Sequence, residues 1–373
     1  MEDGIRIGIA GAGSIAFGSA ALLAGNGHDP MLWSPTGAGT AALADGAPLT
    51  AEGAIEATLS PRIAASARQL AADNDVLMIA LPAYGHKAVM DALHPHIRDG
   101  QHVIISSHAS LGAVHFSQLL ADRGIDAAVT AWGTTAVTGR RNSPTRVQVN
   151  TVRKLIDLCT VPETRSAEAL TLCRQLFGER FQPRDGLLAI SLSNLNPQNH
   201  MGIALGNMTR MERGETWSQG QNVTPNVGRL LEALDEERLA IADALGLKVR
   251  TIFEHFHLSF HVPVASISEM NQQMHAEGNG GTGPATADSR YVTEDVPYGL
   301  ALTAALGRMV NRPAVLHEAG IAVFSAMYGR DFMHENELLT AIDLSGYTLD
   351  DLKKAAKTGI LKRPEAALAS TDQ

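Results

Sequence analysis

The chain has 373 residues, of which 45% are hydrophobic and 18% are charged, and its formal net charge is −9. A chain of this length is expected to form two domains, because single hydrophobic cores rarely extend beyond about 250–300 residues. The negative charge argues against a nucleic-acid-binding protein, which needs a basic face to displace counterions. The charged residues are scattered, so the sequence also predicts no basic membrane-binding segment.

The two cysteines, Cys159 and Cys173, lie in apolar or helix-patterned segments. They form neither a disulfide framework nor a CxxC metal motif, so we expect two buried thiols. Such thiols suit a reducing compartment, and we predict a cytoplasmic protein. The apolar stretch 7–24 has hardly any basic segment before it, so we interpret it as strand, turn and helix rather than as a targeting signal.

The first half of the chain alternates short β-rich runs with helical segments, which is typical of a mostly parallel sheet covered by helices. The runs predict strands at 5–10, 30–33, 75–80, 102–106, 127–131, 146–149 and 155–161. Helices are predicted at 14–25, 63–72, 86–94, 111–123 and 166–177. We therefore predict an α/β N-terminal Rossmann domain with a doubly wound sheet over residues 1–185.

The second half, from Gly186, is almost entirely helix-patterned and predicts an all-α C-terminal domain over residues 186–373. Its clearest helix follows Thr224-Pro225, and others are predicted at 298–310 and 314–327. The loop 277–288 contains four glycines and no periodicity. We interpret it as a lid or mobile binding loop, with a disordered surface excursion as the alternative.

A glycine-rich turn, Gly11-Ala12-Gly13-Ser14-Ile15-Ala16, directly follows the first predicted strand. Gly11 permits the tight turn, Gly13 lets the backbone approach a pyrophosphate, and Ala16 keeps the helix close to the strand. The helix N-terminus at Ser14 and Ile15 offers free N–H groups to the phosphates. These residues predict a dinucleotide-binding site, with an ordinary βα turn without ligand as the alternative.

The segment after the second predicted strand, Trp33-Ser34-Pro35-Thr36, bears on the choice of cofactor. NAD enzymes usually carry an acid there to bind the ribose 2′-hydroxyl. This chain has none, and the hydroxyls of Ser34 and Thr36 could donate to a 2′-phosphate, so the sequence favours NADP over NAD. No arginine is adjacent, and Arg62 is a distant candidate for a phosphate clamp.

Two further strands end close to the expected nicotinamide position, because ligands collect beyond the carboxyl ends of parallel strands. Leu81 and Pro82 follow the strand at 75–80 and are predicted to contact the cofactor. His108 follows the next strand and could be catalytic by position. We favour a solvent-facing loop histidine there.

The helical half carries two polar segments, 193–200 and 289–299. In the first, Asn196 and Pro197 predict an N-cap and a first helical residue, which places His200 in the opening turn. The second segment ends the glycine-rich loop and brings an arginine, a tyrosine and two acids together within a few residues.

These segments resemble the opine dehydrogenase family, which includes octopine and nopaline dehydrogenases and bacterial relatives. The resemblance covers nearly the whole chain: the glycine-rich turn, Asn194-Leu195-Asn196-Pro197-x-x-His200, Glu294-Asp295-Val296-Pro297, and the helix 224–238 with Thr224-Pro225-x-Val227 and Leu234-Asp235-x-Glu237-Arg238. It implies NAD(P)H-dependent reductive condensation of the amine of an amino acid with an α-keto acid.

The resemblance also implies roles for single residues. His200 and Asp295 would form the catalytic pair, and Arg290 would bind a substrate carboxylate, with Asn194 and Asn196 as further substrate-binding candidates. Histidine suits proton transfer near neutral pH, and a guanidinium offers two parallel hydrogen bonds to a carboxylate. The alternatives are a helix-cap histidine and a solvent-exposed pair of Arg290 with Asp295.

Other interpretations remain open. His257 and His261 would share a helix face, but no full ligand set lies nearby, so we predict no metal site. A 2-keto acid reductase on the same plan would oxidise NAD(P)H with keto acid alone, and a dinucleotide-sensing binding protein would consume none. We expect small-molecule substrates as partners, with no nucleic acid or membrane, and leave a homodimer open.

Overall fold

The computed structural model describes residues 4–362, and these residues form two compact units. The first unit contains residues 4–191 and 341–362, and the second contains residues 192–340. The first is an α/β unit and the second is helical, which confirms the predicted fold class.

The strands of the described chain all belong to the first unit and form two sheets. They are β1 (Arg6–Ala10), β2 (Asp29–Trp33), β3 (Leu49–Gly53), β4 (Ala57–Leu59), β5 (Arg62–Ile63), β6 (Val76–Ile79), β7 (His102–Ile105), β8 (Ala128–Trp132), β9 (Val137–Ser143), β10 (Arg146–Val152), β11 (Ile156–Val161) and β12 (Phe181–Pro183). The main sheet has the order β12-β11-β8-β7-β6-β1-β2-β5, and only the β8–β11 pair is antiparallel. The second sheet has the order β4-β3-β10-β9.

The helices of the first unit are α1 (Ser14–Gly25), α2 (Ala41–Ala44), α3 (Ala67–Ala72), α4 (His86–Leu93), α5 (Gly112–Ala121), α6 (Ser166–Phe177) and α7 (Gly186–Ser193), which ends at the boundary. The second unit contains α8 (Asn196–Glu212), α9 (Pro225–Ala244), α10 (Ile252–Phe260), α11 (Ile267–Ala276), α12 (Arg290–Thr293), α13 (Ala301–Met309), α14 (Val315–Tyr328) and the start of α15 (Glu337–Ile342). Helix α16 (Leu349–Thr358) belongs to the first unit. No helix within residues 4–362 is long and apolar enough to cross a membrane.

The strand order of the main sheet places a ligand crevice at the end of β1. Strand β1 pairs with β2 on one side and with β6 on the other, both in parallel. The chain therefore reverses its direction of winding between β1 and β6, and ligands bind beyond the carboxyl ends of strands at such a point. Gly11 follows β1 there, and Leu81 lies shortly after β6.

Helix α1 is covered on both faces, which explains the long apolar stretch of the sequence. Phe17 and Ala20 are fully buried, and the β9–β10 hairpin packs against the helix. Gly18 makes this contact close, because a Cβ there would lie 2.9 Å from Val137 Cγ2. A helix that is apolar all round has to be buried on all sides. Of this second sheet, the sequence predicted only part of β10, since β3 and β4 are short and β9 consists mostly of polar residues.

The observed units differ from the predicted boundaries, 1–185 and 186–373. The segment from 341 packs with the first unit, where Leu361 N donates to Gln118 Oε1 at 3.3 Å and Lys357 Nζ pairs with Asp185 at 2.7 Å. Such contacts join residues far apart in the chain, and no local sequence pattern predicts them. Residues 1–3 and 363–373 of the predicted domains lie outside the described residues.

The predicted helix 63–72 begins later, at Ala67, because Ser66 caps it. The Ser66 side chain accepts a hydrogen bond from Gln69 N, and Gln69 Oε1 accepts one from Ala65 N at 2.9 Å. The residues before the cap are free to pair, and Arg62–Ile63 forms strand β5 beside β2. The prediction followed the apolar pattern and did not use Ser66 as a capping signal, so the predicted helix began too early.

Three histidines of the first unit are buried, and one of them corrects a prediction. His108 was expected to face solvent, but its side chain is buried and its Nε2 accepts a hydrogen bond from Ala113 N at 3.2 Å. Burial lowers the pKa of His108 to about 3, and the pKa values of His86 and His102 to about 4. Cys159 and Cys173 are buried, unpaired thiols, as predicted.

Acid should destabilise the first unit because these histidines are neutral when folded. Their folded pKa values, about 3 to 4, lie below the unfolded value of 6.5, so the unfolded state binds more protons between these limits. The free energy of unfolding therefore falls as the pH drops from about 6.5 towards 4. Each histidine contributes up to about 1.4 kcal/mol per pH unit to this slope.

We expect the His108→Gln variant to show a shallower pH dependence than the wild type in urea unfolding between about pH 7 and pH 4.5. Glutamine removes one titrating group and can still accept from Ala113 N. His334→Gln is the control, because His334 is exposed, and its slope should match the wild type. An unchanged slope in His108→Gln would contradict the assignment.

Candidate active site and cofactor cradle

The glycine-rich turn after β1 has the shape of a phosphate cradle. Gly11 has φ +144°, and a Cβ there would lie 2.2 Å from the carbonyl oxygen of Ala80, so no other residue fits. A Cβ on Gly13 would meet no atom of the described residues within 4 Å. Helix α1 begins at Ser14, with no side-chain cap and no acid in its first turn. Its first N–H groups are left for an anion in front of Gly13, which fits a pyrophosphate.

The other predicted cofactor residues lie around this turn. Ser34 is buried at the end of β2, and Thr36 is exposed in the loop that follows. Leu81 is half-buried and Pro82 is exposed beyond β6. Arg62 is already engaged: its Nε lies 2.8 Å from Asp29 Oδ2, and its Nη2 donates to Asn74 Oδ1 at 3.0 Å. The structure therefore does not support Arg62 as a phosphate clamp.

In the helical unit, α8 begins one residue earlier than predicted. Asn196 is the first helical residue rather than the N-cap, with Pro197 following it. Asn194 supports this start, because its Oδ1 accepts from Asn196 N at 3.1 Å. His200 is thus the fifth residue of α8 and lies beyond the opening turn. The Asn196 side chain is exposed.

The structure brings His200 and Asp295 together, although they are far apart in the sequence. His200 Nδ1 lies 2.6 Å from Asp295 Oδ2, and the side chains are only 14% and 8% exposed. A carboxylate at this distance accepts the proton of Nδ1, and Nε2 is left as the nitrogen that can exchange a proton with a substrate. Shielding from water strengthens this contact.

Tyr291 is a third member of the site, and no motif in the sequence indicates a role for it. Its ring stacks on the His200 imidazole, with centroids 3.6 Å apart and planes 8° apart. The Tyr291 hydroxyl donates to Gln219 Oε1 at 2.5 Å, and burial raises the pKa of Tyr291 to about 12. The Tyr291 ring therefore stays neutral and covers one face of the imidazole. The only signal in the sequence was its position beside Arg290.

The segment that carries Asp295 packs closely on the start of α8. The residues after it form a π-helical turn, Val296–Leu300, a rare element that is frequent at functional sites. Gly299 of this turn lies against the start of α8, and a Cβ there would lie 2.2 Å from Pro197 Cγ. The two motifs of the family resemblance, around Pro197 and Pro297, therefore pack directly on each other.

A buried polar network holds the first turn of α8. Asp235 and Arg238 of α9 form an ion pair at 2.7 Å, with side chains 2% and 1% exposed. Gln198 Nε2 donates to Asp235 Oδ1 at 2.8 Å, and Ile252 N donates to Asp235 Oδ2 at 2.8 Å. The third motif of the resemblance, which ends at Arg238, thus contributes to the site by fixing the helix that carries His200.

Arg290 lies at the start of α12, beside Tyr291 in the chain. Its side chain is 59% exposed, and its Nε lies 3.7 Å from Glu294 Oε2. This is a weak ion pair between neighbouring turns. The alternative, a pair with Asp295, is not observed, because Asp295 binds His200. The exposed fork of Arg290 is available to a carboxylate ligand.

The loop 277–288 is anchored at its centre. Gly283 N donates to Trp217 O at 3.0 Å, and Trp217 Nε1 donates to Pro284 O at 3.0 Å. A Cβ at Gly283 would lie 2.2 Å from the Trp217 ring, so glycine permits this contact. The loop is therefore not a free surface excursion, and its role as a lid stays a prediction.

No group of three or more histidine, cysteine or acidic side chains within residues 4–362 is arranged to hold a metal ion. Of the two histidines considered for a metal, His257 contacts Val262 O through Nδ1 at 2.8 Å, and His261 ends α10 in a left-handed conformation. A left-handed backbone turns the chain away from the helix at His261. These two histidines therefore belong to the C-terminal cap of α10.

Comparisons with known proteins match both parts of the chain. A family model for the α-helical domain of NAD/NADP octopine/nopaline dehydrogenases matches residues 183–328, and the ketopantoate reductase PanE/ApbA model matches residues 7–156. An opine dehydrogenase of Arthrobacter sp. (strain 1C) is 30% identical to this chain over 362 residues, which cover 96% of this chain and 100% of that relative.

Solved structures share the fold. Octopine dehydrogenase with NADH and L-arginine matches with a TM-score of 0.80 at 16% identity, over 97% of this chain and 100% of the other. Yersinopine dehydrogenase bound to NADP⁺ matches with a TM-score of 0.67 at 17% identity, over 96% and 99%. The similarity thus extends over both units of the chain.

The open space in front of Gly13 leads to a prediction about cofactor affinity. In Gly13→Val, the added Cβ would lie more than 4 Å from every atom that residues 4–362 place around it, so the thermal unfolding midpoint should stay near that of the wild type. The valine side chain would occupy the place of the phosphates, and NADPH affinity in a fluorescence titration should fall by about tenfold or more, roughly 1.4 kcal/mol. Gly25→Val is the control, since Gly25 ends the same helix and also faces open space. Undiminished binding in Gly13→Val would rule out this cradle.

Proposed function

As a member of the opine dehydrogenase family, this chain is an NAD(P)-dependent oxidoreductase, and we propose that it joins the amine of an amino acid to an α-keto acid through an imine. The observation that carries the proposal is the shielded His200–Asp295 pair, with 2.6 Å between Nδ1 and Oδ2. It lies in the part of the chain that matches the octopine/nopaline dehydrogenase model, residues 183–328. An imine-forming reaction needs a proton donor of this kind.

The cofactor cradle would hold the dinucleotide on the first unit. The N–H groups at Gly13, Ser14, Ile15 and Ala16 would bind the pyrophosphate, with Gly11 making the turn. Leu81 and Pro82 would line the nicotinamide side. When bound, the reduced nicotinamide supplies the hydride that reduces the C=N bond. Because the end of β2 offers the hydroxyls of Ser34 and Thr36 and no acid, we propose NADP rather than NAD as the preferred form.

His200 would act as the acid/base residue through Nε2. Condensation of an amine with a ketone expels the keto oxygen as water, and that oxygen has to be protonated before it leaves. His200 Nε2 would deliver this proton and recover one from solvent. Asp295 would hold the ring orientation and stabilise the imidazolium through Nδ1, and the stacked Tyr291 ring would restrict the motion of the imidazole.

Substrate recognition would use Arg290. Both substrates carry a carboxylate, and the planar fork of Arg290 matches that group with two parallel hydrogen bonds. Its 3.7 Å contact with Glu294 is loose enough to exchange for a substrate. Asn194 and Asn196 would contribute amide donors, although Asn194 also accepts the bond from Asn196 N.

The protein would work on small molecules in the cytoplasm. Cys159 and Cys173 are free thiols buried in the first unit, and such thiols persist in a reducing compartment. A homodimer also stays a prediction.

A matrix of amino acids against α-keto acids, with NAD(P)H consumption and product mass as readouts, tests the proposed reaction. We expect oxidation only when an amine and a keto acid are both present, and a product containing both. The ketopantoate reductase match over residues 7–156 favours a second candidate, reduction of a 2-keto acid. Oxidation with keto acid alone would select that reaction, and no oxidation with any pair would select a binding protein.

The His200→Ala variant should lower kcat by about 10²–10⁴, the usual contribution of a positioned proton donor. Asp295→Asn should also lose most activity, and the double variant should be little worse than either, because residues acting as a unit are strongly non-additive. Affinity for NADPH should be retained, since the cradle belongs to the other unit. The measurements are steady-state kinetics and cofactor titration.

His334 and Asp331 provide a matched control, because the same atoms pair at 2.9 Å on side chains that are 81% and 69% exposed. His334→Ala should leave kcat unchanged. Losses below about threefold in both active-site variants, or losses that simply multiply, would exclude His200 and Asp295 as the catalytic pair.

Arg290→Ala should reduce kcat/KM for the carboxylate substrate by about ten- to a hundredfold or more, because a charge-assisted hydrogen bond is lost. Arg290→Lys keeps the charge without the fork and should raise KM. Arg213→Ala is the control, since Arg213 forms a similar loose pair, with Glu215 at 3.7 Å. A fall in cofactor affinity instead would assign Arg290 to the nucleotide site.

A further inference from the structure

An arginine from the second sheet reaches the cofactor turn. Arg141 lies in β9, and its Nη1 donates to the carbonyl oxygen of Ala12 at 2.6 Å, 129 residues away in the chain. Its Nη2 donates to Gly39 O at 3.1 Å. Ala12 stands between the two glycines of the turn, and Gly39 belongs to the loop after β2. One guanidinium therefore bridges the two segments that surround the ribose of a bound dinucleotide in this fold.

The side chain of Arg141 is held rigidly in this place. Its Nε donates to Ser143 O at 3.0 Å, and Nη2 also donates to Pro144 O at 3.1 Å, both in its own hairpin. The guanidinium lies over the ring of Phe17, 4.8 Å from the centroid. A guanidinium fixed in this way loses little conformational entropy when it binds a ligand.

The charge of Arg141 has no counter-ion among residues 4–362. Each of its hydrogen bonds goes to a neutral carbonyl, and no acidic oxygen forms an ion pair with it in the described chain. Arg62, in contrast, pairs with Asp29 at 2.8 Å. Arg141 has five N–H donors, and the four contacts leave one on Nη1 without an acceptor in that part of the chain. A positive charge without a counter-ion in the described chain, and one remaining donor, thus lie beside the cofactor turn.

The end of β2 meets the same place. A Cβ on Gly39 would lie 2.6 Å from Ala12 Cβ and 2.9 Å from Ser34 Oγ, so these three residues are in close contact. In this fold, the residue at the end of β2 contacts the ribose 2′ position. Ser34 carries no charge there and would not repel an anion. The position therefore combines a neutral hydroxyl with the positive charge of Arg141.

We propose that Arg141 binds the 2′-phosphate of NADPH and selects it over NADH, an inference that rests on the proposed use of NAD(P)H. A 2′-phosphate is a dianion that would accept a charge-assisted hydrogen bond from the remaining N–H of Nη1 and is attracted by the charge of the guanidinium, whereas a 2′-hydroxyl gains little from that charge. The carbonyl contacts of Arg141 give it a second function. They hold the turn and the Gly39 loop at a fixed separation around the ribose.

Calorimetric titration of the full-length protein with four ligands tests this assignment. The ligands are NADPH, NADH, adenosine 2′,5′-bisphosphate and adenosine 5′-monophosphate, so each pair differs only in the 2′-phosphate. We expect the wild type to bind the phosphorylated member of each pair more tightly. In Arg141→Ala, this preference should fall by about tenfold or more, and in Arg141→Lys by a smaller factor, since the positive charge remains.

Arg140→Ala is the matched control, because Arg140 is the exposed neighbour of Arg141 in β9 and adjacent residues of a strand face opposite sides. It removes the same charge and should retain the preference. The thermal unfolding midpoint of each variant shows whether a loss of affinity comes from a loss of stability. If Arg141→Ala folds poorly, the milder variant Arg141→Lys carries the test.

Three results would overturn the assignment. The first is a wild type that binds NADH at least as tightly as NADPH. The second is an equal loss of affinity for both members of each ligand pair in Arg141→Ala and Arg141→Lys. The third is a loss of the preference for phosphorylated ligands in Arg140→Ala as large as that in Arg141→Ala. The second would leave Arg141 only as a link between two loops. Binding is measured without turnover, so this test is independent of the proposed reaction. A protein that prefers NADPH but oxidises NADPH with no pair of amine and keto acid would refute the proposed reaction and leave the assignment of Arg141 intact.

Discussion

The geometry of the candidate active site depends on one buried ion pair, Asp235 with Arg238. These side chains are 2% and 1% exposed, and Asp235 also accepts hydrogen bonds from Gln198 and Ile252 N. Removing one partner would leave an uncompensated charge in the interior, which typically costs about 3–5 kcal/mol. Since Gln198 belongs to the start of α8, the pair fixes the helix on which His200 is carried. The geometry of the candidate active site and the stability of the helical unit thus depend on the same ion pair.

Close backbone approaches complete both functional regions. Gly11 lets the cofactor turn pass the carbonyl of Ala80, and Gly299 lets the turn after Asp295 rest on Pro197. In each case a single Cβ would collide at 2.2 Å. The first contact shapes a place for an anion, and the second brings a carboxylate to an imidazole. Each region therefore depends on a glycine that lets its backbone approach a neighbouring segment closely.

Local charge at the cofactor cradle contrasts with the overall charge of the chain. The formal net charge is −9, yet the first turn of α1 carries no acid, and Arg141 stands beside it without a carboxylate partner in the described chain. Charges interact strongly over a few ångströms and are screened beyond roughly 10 Å at moderate salt. An acidic protein can therefore present an anion site where the local groups are suitably placed.

The sequence by itself determined whatever is encoded between near neighbours. The β-rich runs, the turn from Gly11 to Ala16 and the helix after Thr224 follow from side-chain size, backbone freedom and hydrogen bonds within one or two turns. Family motifs also pointed to His200 and Asp295 as a pair. Only the tertiary structure stacked Tyr291 on His200, buried His108, and brought Arg141 to Ala12. Burial and long-range contacts depend on which distant segments pack together, and no local pattern of residues specifies that.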